Sequence, residues 1–189
     1  MLIDNEKFQY LYNWLYFITG YMVLLSAISS EIKKAVWAQT KLSKKLIIFP
    51  VICLIFLVGF RAYNVGTDTG NYYSQLWLSS PDSKTNSEIM FPRLAIYFHS
   101  LNLSYTVFLL FIAFLYFFNI YRALRNYTQI FKSNLLMTYF AYMSMFFFLS
   151  MGINVIRQGV ALSFLLLAYS LIHKQKTTTL LNKPIFIFV

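Results

Sequence analysis

Two short stretches hold most of the groups in this chain that can do chemistry. The first is Arg61-Ala62-Tyr63-Asn64-Val65-Gly66-Thr67-Asp68-Thr69-Gly70-Asn71-Tyr72-Tyr73, and the second is Asn154-Val155-Ile156-Arg157-Gln158-Gly159. An arginine suits phosphate because its planar fork donates two parallel hydrogen bonds and keeps its charge. Arg61, at the end of an apolar run, can therefore reach headgroup phosphates or a lipid-linked diphosphate, or it can simply anchor the run at the interface. Gly66-Thr67-Asp68-Thr69-Gly70 reads as a turn, and Asp68 is either the cap of a following helix or a general base. Tyr72 and Tyr73, with Trp77, either stack on sugar faces or belong to an interfacial aromatic belt. In the second stretch, Asn154, Arg157 and Gln158 follow i, i+3, i+4 spacing, which predicts one polar face on a helix. A charge inside a span is costly, so Arg157 is a functional candidate by default, against a snorkelling alternative. Gly159 and Ser163 form a small-x-x-x-small pair suited to close helix packing.

The remaining reactive side chains carry less. His99 is a titratable group on a predicted interfacial helix, either a base or a polar-face residue. His173 lies among lysines and reads as solvated, and Cys53 reads as a small buried hydrophobe. Two histidines and one cysteine cannot complete a closed zinc site. No dinucleotide fingerprint, Walker loop or nucleophile elbow is present.

The elements that must position these residues are membrane helices. Of 189 residues, 59% are hydrophobic, 20% aromatic and only 12% charged. Soluble domains have about 25% charged residues. The composition excludes a soluble globular enzyme, a disordered tail and a disulfide scaffold. It predicts an all-α polytopic membrane protein, a single membrane domain over residues 1–189 with about five transmembrane helices. The spans fall at about 10–29, 46–60, 105–121, 135–151 and 153–172. An outer loop covers 61–104. The second span is short and borrows Ser43–Lys45 as a snorkelling rim. The tail Leu180–Val189 is apolar but too short to cross. Leu94, Tyr97, Phe98 and Leu101 share one face, which predicts an amphipathic interfacial helix on the outer side over 91–103, with Pro92 in its first turn.

The net charge of +10 first suggests nucleic acid. Its distribution gives a different reading. With five spans, eleven of the sixteen cations and one of the six acids fall on one side, in 31–45, 122–133 and 173–183. That is the positive-inside pattern, with the N-terminus outside and the C-terminus cytoplasmic, and it removes the need for a nucleic-acid partner. A cleaved signal peptide fits poorly, since Asp4 and Glu6 outnumber Lys7 ahead of the first apolar run.

The pattern R-x-x-N-V-G-T-D-x-x-N-Y from Arg61 to Tyr72, directly after an early span, resembles the EpsG family of Wzy-like polymerases from exopolysaccharide, capsule and O-antigen pathways. Ile156-Arg157-Gln158-Gly159-Val160-Ala161 resembles the second signature of that family. The chain looks like the N-terminal part of such a protein, without a later histidine-bearing span. The resemblance implies a multi-pass protein of the bacterial cytoplasmic (inner) membrane that joins oligosaccharide repeats on undecaprenyl diphosphate at the outer face. It implies a glycosyltransferase-type polymerase with no metal, no cofactor and no nucleotide sugar. Its partners would be the lipid-linked oligosaccharide, the bilayer and other polysaccharide-assembly proteins. Arg61, Asp68 and Arg157 would be catalytic. Asn64, Gly66, Thr67, Asn71, Tyr72, Tyr73, Asn154 and Gln158 would bind substrate. The alternatives are a non-enzymatic component of an assembly or export complex, and an inactive truncated polymerase.

Overall fold

The computed structural model describes residues 2–33, 43–78 and 90–181. Lys34, Lys41, Asp82, Lys84, Glu88, Lys183 and the tail after Leu181, all used in the charge reading, lie outside them. Helices dominate, and among the described residues no strand forms beyond one isolated parallel bridge between Ile3 and Arg61.

Helix α1 spans Asn5–Lys33. Asp4 starts it by accepting the Lys7 backbone N–H at 2.9 Å, a satisfied N-cap. That bond, with the Lys7 side chain beside it, holds the Asp4 carboxyl below its ordinary range. Helix α2 spans Ile48–Gly59, only twelve residues or ~18 Å. Residues 43–46 just before it are also helical, and Ile47 N–H bonds Ser43 C=O at 3.1 Å. Pro50 explains the interruption: it has no N–H for Leu46 C=O, and its ring crowds that carbonyl. The second expected span therefore exists as a short helix with a wound rim, and is not itself long enough to cross.

The first stretch folds as a turn, a four-residue helix α3 (Thr69–Tyr72) and a π-helical turn at Tyr73–Leu78. Helix α4 is Met90–Ser100. Its packed side is Phe91, Leu94, Ala95 and Phe98. Of the face expected from sequence, Leu94 and Phe98 lie on this side, while Tyr97 is 59% and Leu101 51% exposed. The helix stops at Ser100, and its inner face turns toward the aromatic cluster on α3 and the next helix.

Helix α5 spans Tyr105–Ile130, longer than the predicted 105–121. The expected fourth span is broken. Helices α6 (Leu135–Met143) and α7 (Phe146–Ile153) meet at a 72° bend. Ser144 Oγ donates to Phe140 C=O at 2.9 Å, a back-bond that bends helices, and Met145 is extended. Tyrosines of α1 brace the break: Tyr16 Oη lies 2.9 Å from Ser144 Oγ, and Tyr12 Oη donates to Met143 C=O at 3.5 Å. Helix α8 spans Ile156–Leu181. It begins three residues later than expected. Asn154 ends α7 instead of sharing a face with Arg157 and Gln158. Counting by length and apolarity, three described helices can cross a membrane, α1, α5 and α8, and four if the bent pair counts as one.

The largest helix contact joins α5 to α8. Asn119 Nδ2 donates to Ser163 Oγ at 3.3 Å and Asn126 Nδ2 to Ser170 Oγ at 3.0 Å. The constant offset means that the two helices run parallel. Buried amide–hydroxyl pairs of this kind join helices where the hydrophobic effect supplies no drive. A second core forms where α2 packs between α1 and α5, around Leu54, Val58, Ala113 and Phe117.

Candidate functional site

The two chemical stretches meet at one end of the helices, and the chain folds there for local reasons. Gly66 sits at φ +83°, a conformation that side chains disfavour, and a Cβ there would collide with Ile153 and Asn154. The turn can thus lie flat against the α7–α8 junction. Thr67 N–H donates to Asn154 Oδ1 at 3.0 Å, which latches the turn to that junction. Ile3 clamps the other side: its N–H donates to Phe60 C=O at 2.8 Å and its C=O accepts from Ala62 N–H at 2.7 Å. The N-terminus, the end of α2 and the starts of α5 and α8 therefore lie together.

Arg61 is the centre of this end and is 1% exposed. Its Nη1 donates to Val58 C=O at 2.7 Å, its Nε to Thr69 Oγ1 at 3.2 Å and its Nη2 to Ile153 C=O at 3.5 Å. Burial pulls its basicity down from 12.5 to about 10, which leaves it a cation at neutral pH. Thr69 adds its own hydroxyl to Val65 C=O at 2.7 Å and to Ile153 C=O at 3.4 Å. Arg61 thus ties three carbonyl- or hydroxyl-bearing segments into one corner, with its guanidinium turned inward.

Arg157, the second residue of α8, is the contrasting case. It is exposed. Its Nε donates to the Tyr72 hydroxyl at 3.2 Å, and its guanidinium carbon lies 5.2 Å from the centre of that ring. Tyr72 itself is 9% exposed. Helix α3 therefore carries the partners of both arginines, Thr69 for Arg61 and Tyr72 for Arg157, one turn apart.

The other expected residues divide. Asn64, Thr67, Asn71 and Gln158 are exposed at this end, and Asp68, Gly66 and Asn154 are half-buried. Asp68 occupies the cap position of α3 but its carboxylate makes no cap hydrogen bond, so of the two roles left open by the sequence the side-chain cap is not the one formed. Only its backbone C=O joins the helix, accepting from Tyr72 N–H at 2.9 Å. Tyr73 stacks on Tyr63 with ring centres 4.2 Å apart, and both lean on Tyr105. Partial burial and the Tyr73 hydrogen bond raise the Tyr63 hydroxyl above its ordinary range. His99 lies edge-on to Trp77 at 5.3 Å, inside the same aromatic cluster. Gly159 packs where a Cβ would strike the Met151 carbonyl, so the first turn of α8 lies on the backbone of α7.

Thr69 and Tyr105 were missed by sequence reasoning. Thr69 stands in a variable position of the first pattern, and only its place one helical turn past Val65 hints at a back-bond. Tyr105 donates to Thr69 C=O at 3.3 Å from 36 residues away, and no local signal announces it.

A family model described as the EpsG family matches residues 44–188, which takes in both chemical stretches and every helix from α2 to α8. No curated protein and no solved structure matches the chain. The order of the two arginine-bearing stretches, their meeting at one end of a helical membrane protein and the match across most of the sequence agree: this chain belongs to the EpsG family.

Proposed function

We propose that the chain polymerises undecaprenyl-diphosphate-linked oligosaccharide repeats into a surface polysaccharide, at the outer face of the bacterial cytoplasmic membrane. Family membership supports a Wzy-like, polymerase-related role. The observation that carries the finer reading is the exposed Arg157 held against Tyr72, one helical turn after the half-buried Asp68. In the reaction, an acceptor sugar hydroxyl attacks the anomeric carbon of the donor glycan. The bond from that carbon to the diphosphate oxygen breaks, and the lipid diphosphate leaves with the electron pair. The hydroxyl proton passes to Asp68. Charge develops on the leaving diphosphate, and a fixed guanidinium stabilises it there. Arg157 is the residue for that contact. Arg61, whose donors face inward, acts as a positioning residue that holds the turn and the α7–α8 junction in register. Asn64, Gly66, Thr67, Asn71, Asn154 and Gln158 form the polar rim that would meet sugar or diphosphate, and Tyr72 with Tyr73 builds its aromatic floor.

The end bearing these residues is the outer one in this reading, with the N-terminus outside and the C-terminus in the cytoplasm. The test is glycan length in a strain deleted for the gene and restored with this chain. Long polymer with the chain, and single repeats with Arg157→Ala at equal membrane content, is the expected result. Equal polymer length with Arg157→Ala would remove that residue from the reaction. Single repeats with the unaltered chain would instead favour a non-catalytic or incomplete component.

A further inference from the structure

A cavity lies beside the arginine site, with no residue of α5 in its lining. It has a volume of about 660 Å³ and runs between α1 and α7, from the Gly66–Thr67 turn to the α6–α7 break. We propose that this groove binds the uncharged sugar residues of an oligosaccharide. The proposal rests on the polymerase reading for the identity of that glycan.

Three features carry it. The first is a stripe of amides on α1. Asn5, Gln9 and Asn13 recur every four residues, line the cavity and are exposed. They extend ~12 Å along a helix that is otherwise apolar enough to cross a membrane. Asn13 lies within the apolar run, where an amide facing lipid is unfavourable, so the inner end of the stripe implies a wet or ligand-filled groove. The second feature is the opposite wall. The broken backbone at Ser144 and Met145 lines the same cavity, and backbone irregularity at membrane depth is tolerated where it borders a cavity. Discontinuous helices mark substrate sites in other membrane folds for that reason. The third feature is the chemistry of the lining. It contains no Asp, Glu, Lys or Arg. Its polar groups are amides and hydroxyls, joined by the aromatic rings of Tyr12, Tyr16 and the 84%-exposed Phe146. Amides match sugar hydroxyls and aromatic faces match sugar C–H faces. A diphosphate would find no cation here.

The groove meets the arginine site at the Thr67–Asn154 latch, three residues before Arg157. A lipid-linked glycan can therefore place its diphosphate at Arg157 and its sugars along α1. Helix α1 lies before residue 44, outside the family match, so this wall belongs to a part of the chain that the match does not cover.

The test places single cysteines at Gln9→Cys and Asn13→Cys, in the full-length chain with Cys53→Ser. Labelling by a charged maleimide is followed in permeabilised membranes, where both faces are reached. Phe17→Cys, 71% exposed one turn past Asn13 and outside the cavity lining, reports a lipid-facing position. In membranes from a strain that makes no lipid-linked repeats, the two groove positions should label and Phe17→Cys should not. In membranes containing the repeats, groove labelling should slow about tenfold if the glycan exceeds its Kd by about that factor. Added undecaprenyl diphosphate without sugar should not protect. Groove positions as unreactive as Phe17→Cys would mean a dry groove and overturn the proposal. Labelling indifferent to the repeats, or protection by the sugar-free lipid, would overturn it as well. Failure of the polymerase reading has a separate signature, namely single repeats in the deleted strain restored with the unaltered chain.

Discussion

Arg61→Ala separates a structural role from a chemical one. In the folded chain its guanidinium makes two short bonds, to Val58 C=O at 2.7 Å and Thr69 Oγ1 at 3.2 Å, and a third at the 3.5 Å limit to Ile153 C=O. Hydrogen bonds to a charged group contribute about 1.5–3 kcal/mol each. Truncation removes both strong ones, about 4 kcal/mol together. It also opens a cavity at a site only 1% exposed, which adds about 1–2 kcal/mol. Against this, the variant no longer buries a cation, and that relief returns a few kcal/mol. The net is a loss of about 3 kcal/mol, or roughly 10 °C in midpoint for a chain of this size. The assay is thermal unfolding of the detergent-solubilised full chain, followed by near-ultraviolet dichroism, with glycan length measured in the same strain. Arg61→Ala should lose both stability and polymer. Arg61→Lys should recover only part of the stability, because one ammonium cannot serve three acceptors set in a planar fork. A variant that unfolds at the wild-type temperature but makes no polymer would refute the clasp. It would mean that Arg61 reaches substrate directly.

The same pair of measurements sorts the other residues. Arg157→Ala should leave the unfolding midpoint nearly unchanged, since an exposed cation–aromatic contact contributes about 0.5–1 kcal/mol, and still abolish long polymer. Tyr139→Phe should hold or raise stability, by about 1 kcal/mol in thermal unfolding, because the Tyr139 hydroxyl is buried without a hydrogen-bond partner. Gly159→Ala should cost about 1–3 kcal/mol, because the added methyl meets the Met151 carbonyl, and the cost should appear as reduced protein per membrane. A double-mutant cycle of Asn126→Leu and Ser170→Ala should return a coupling of only about 0.6 kcal/mol, as for other amide–hydroxyl pairs between membrane helices.

The sequence announced the helical class, its membrane-spanning character and the family. What it concealed was backbone discontinuity. An apolar run from Leu135 to Met151 has no glycine or proline before Gly152, and hydropathy treats it as continuous. The break at Ser144 depends on a back-bond to Phe140 and on Tyr12 and Tyr16, more than 120 residues away. The same limit misplaced Asn154. Spacing puts it on one face with Arg157, but the bend of α7 into α8 moves it to a separate helix end, where it holds the Gly66–Thr67 turn instead. The face of α4 slipped for a related reason. Periodicity fixes which residues can share a side, while the partner chooses the side, and here the partner is the ring cluster of Phe108, Trp77 and Phe91.

The two arginines show why residue type alone cannot assign a site. Both are phosphate-binding groups by chemistry, and both stand in stretches with polar neighbours. What separates them is burial: Arg61 is 1% exposed and Arg157 lies at the surface. Arg61 follows the last turn of α2, so its side chain falls back over Val58 and finds carbonyls on every side. Arg157 is the second residue of α8, and its side chain emerges beside Tyr72 at the surface. A guanidinium whose donors are held by backbone carbonyls can fix geometry but cannot follow a developing charge. One that lies exposed beside a phenol ring can be reached by a ligand from outside. The division of labour proposed above follows from that difference: Arg61 holds the turn against the α7–α8 junction, and Arg157 is the residue proposed to meet the diphosphate. Glycan length in Tyr72→Phe tests the link between them. The ring remains to floor the site, but the hydroxyl that orients Arg157 is gone. Polymer should shorten without the loss of stability expected of Arg61→Ala, and polymer of full length would show that Arg157 needs no such orientation.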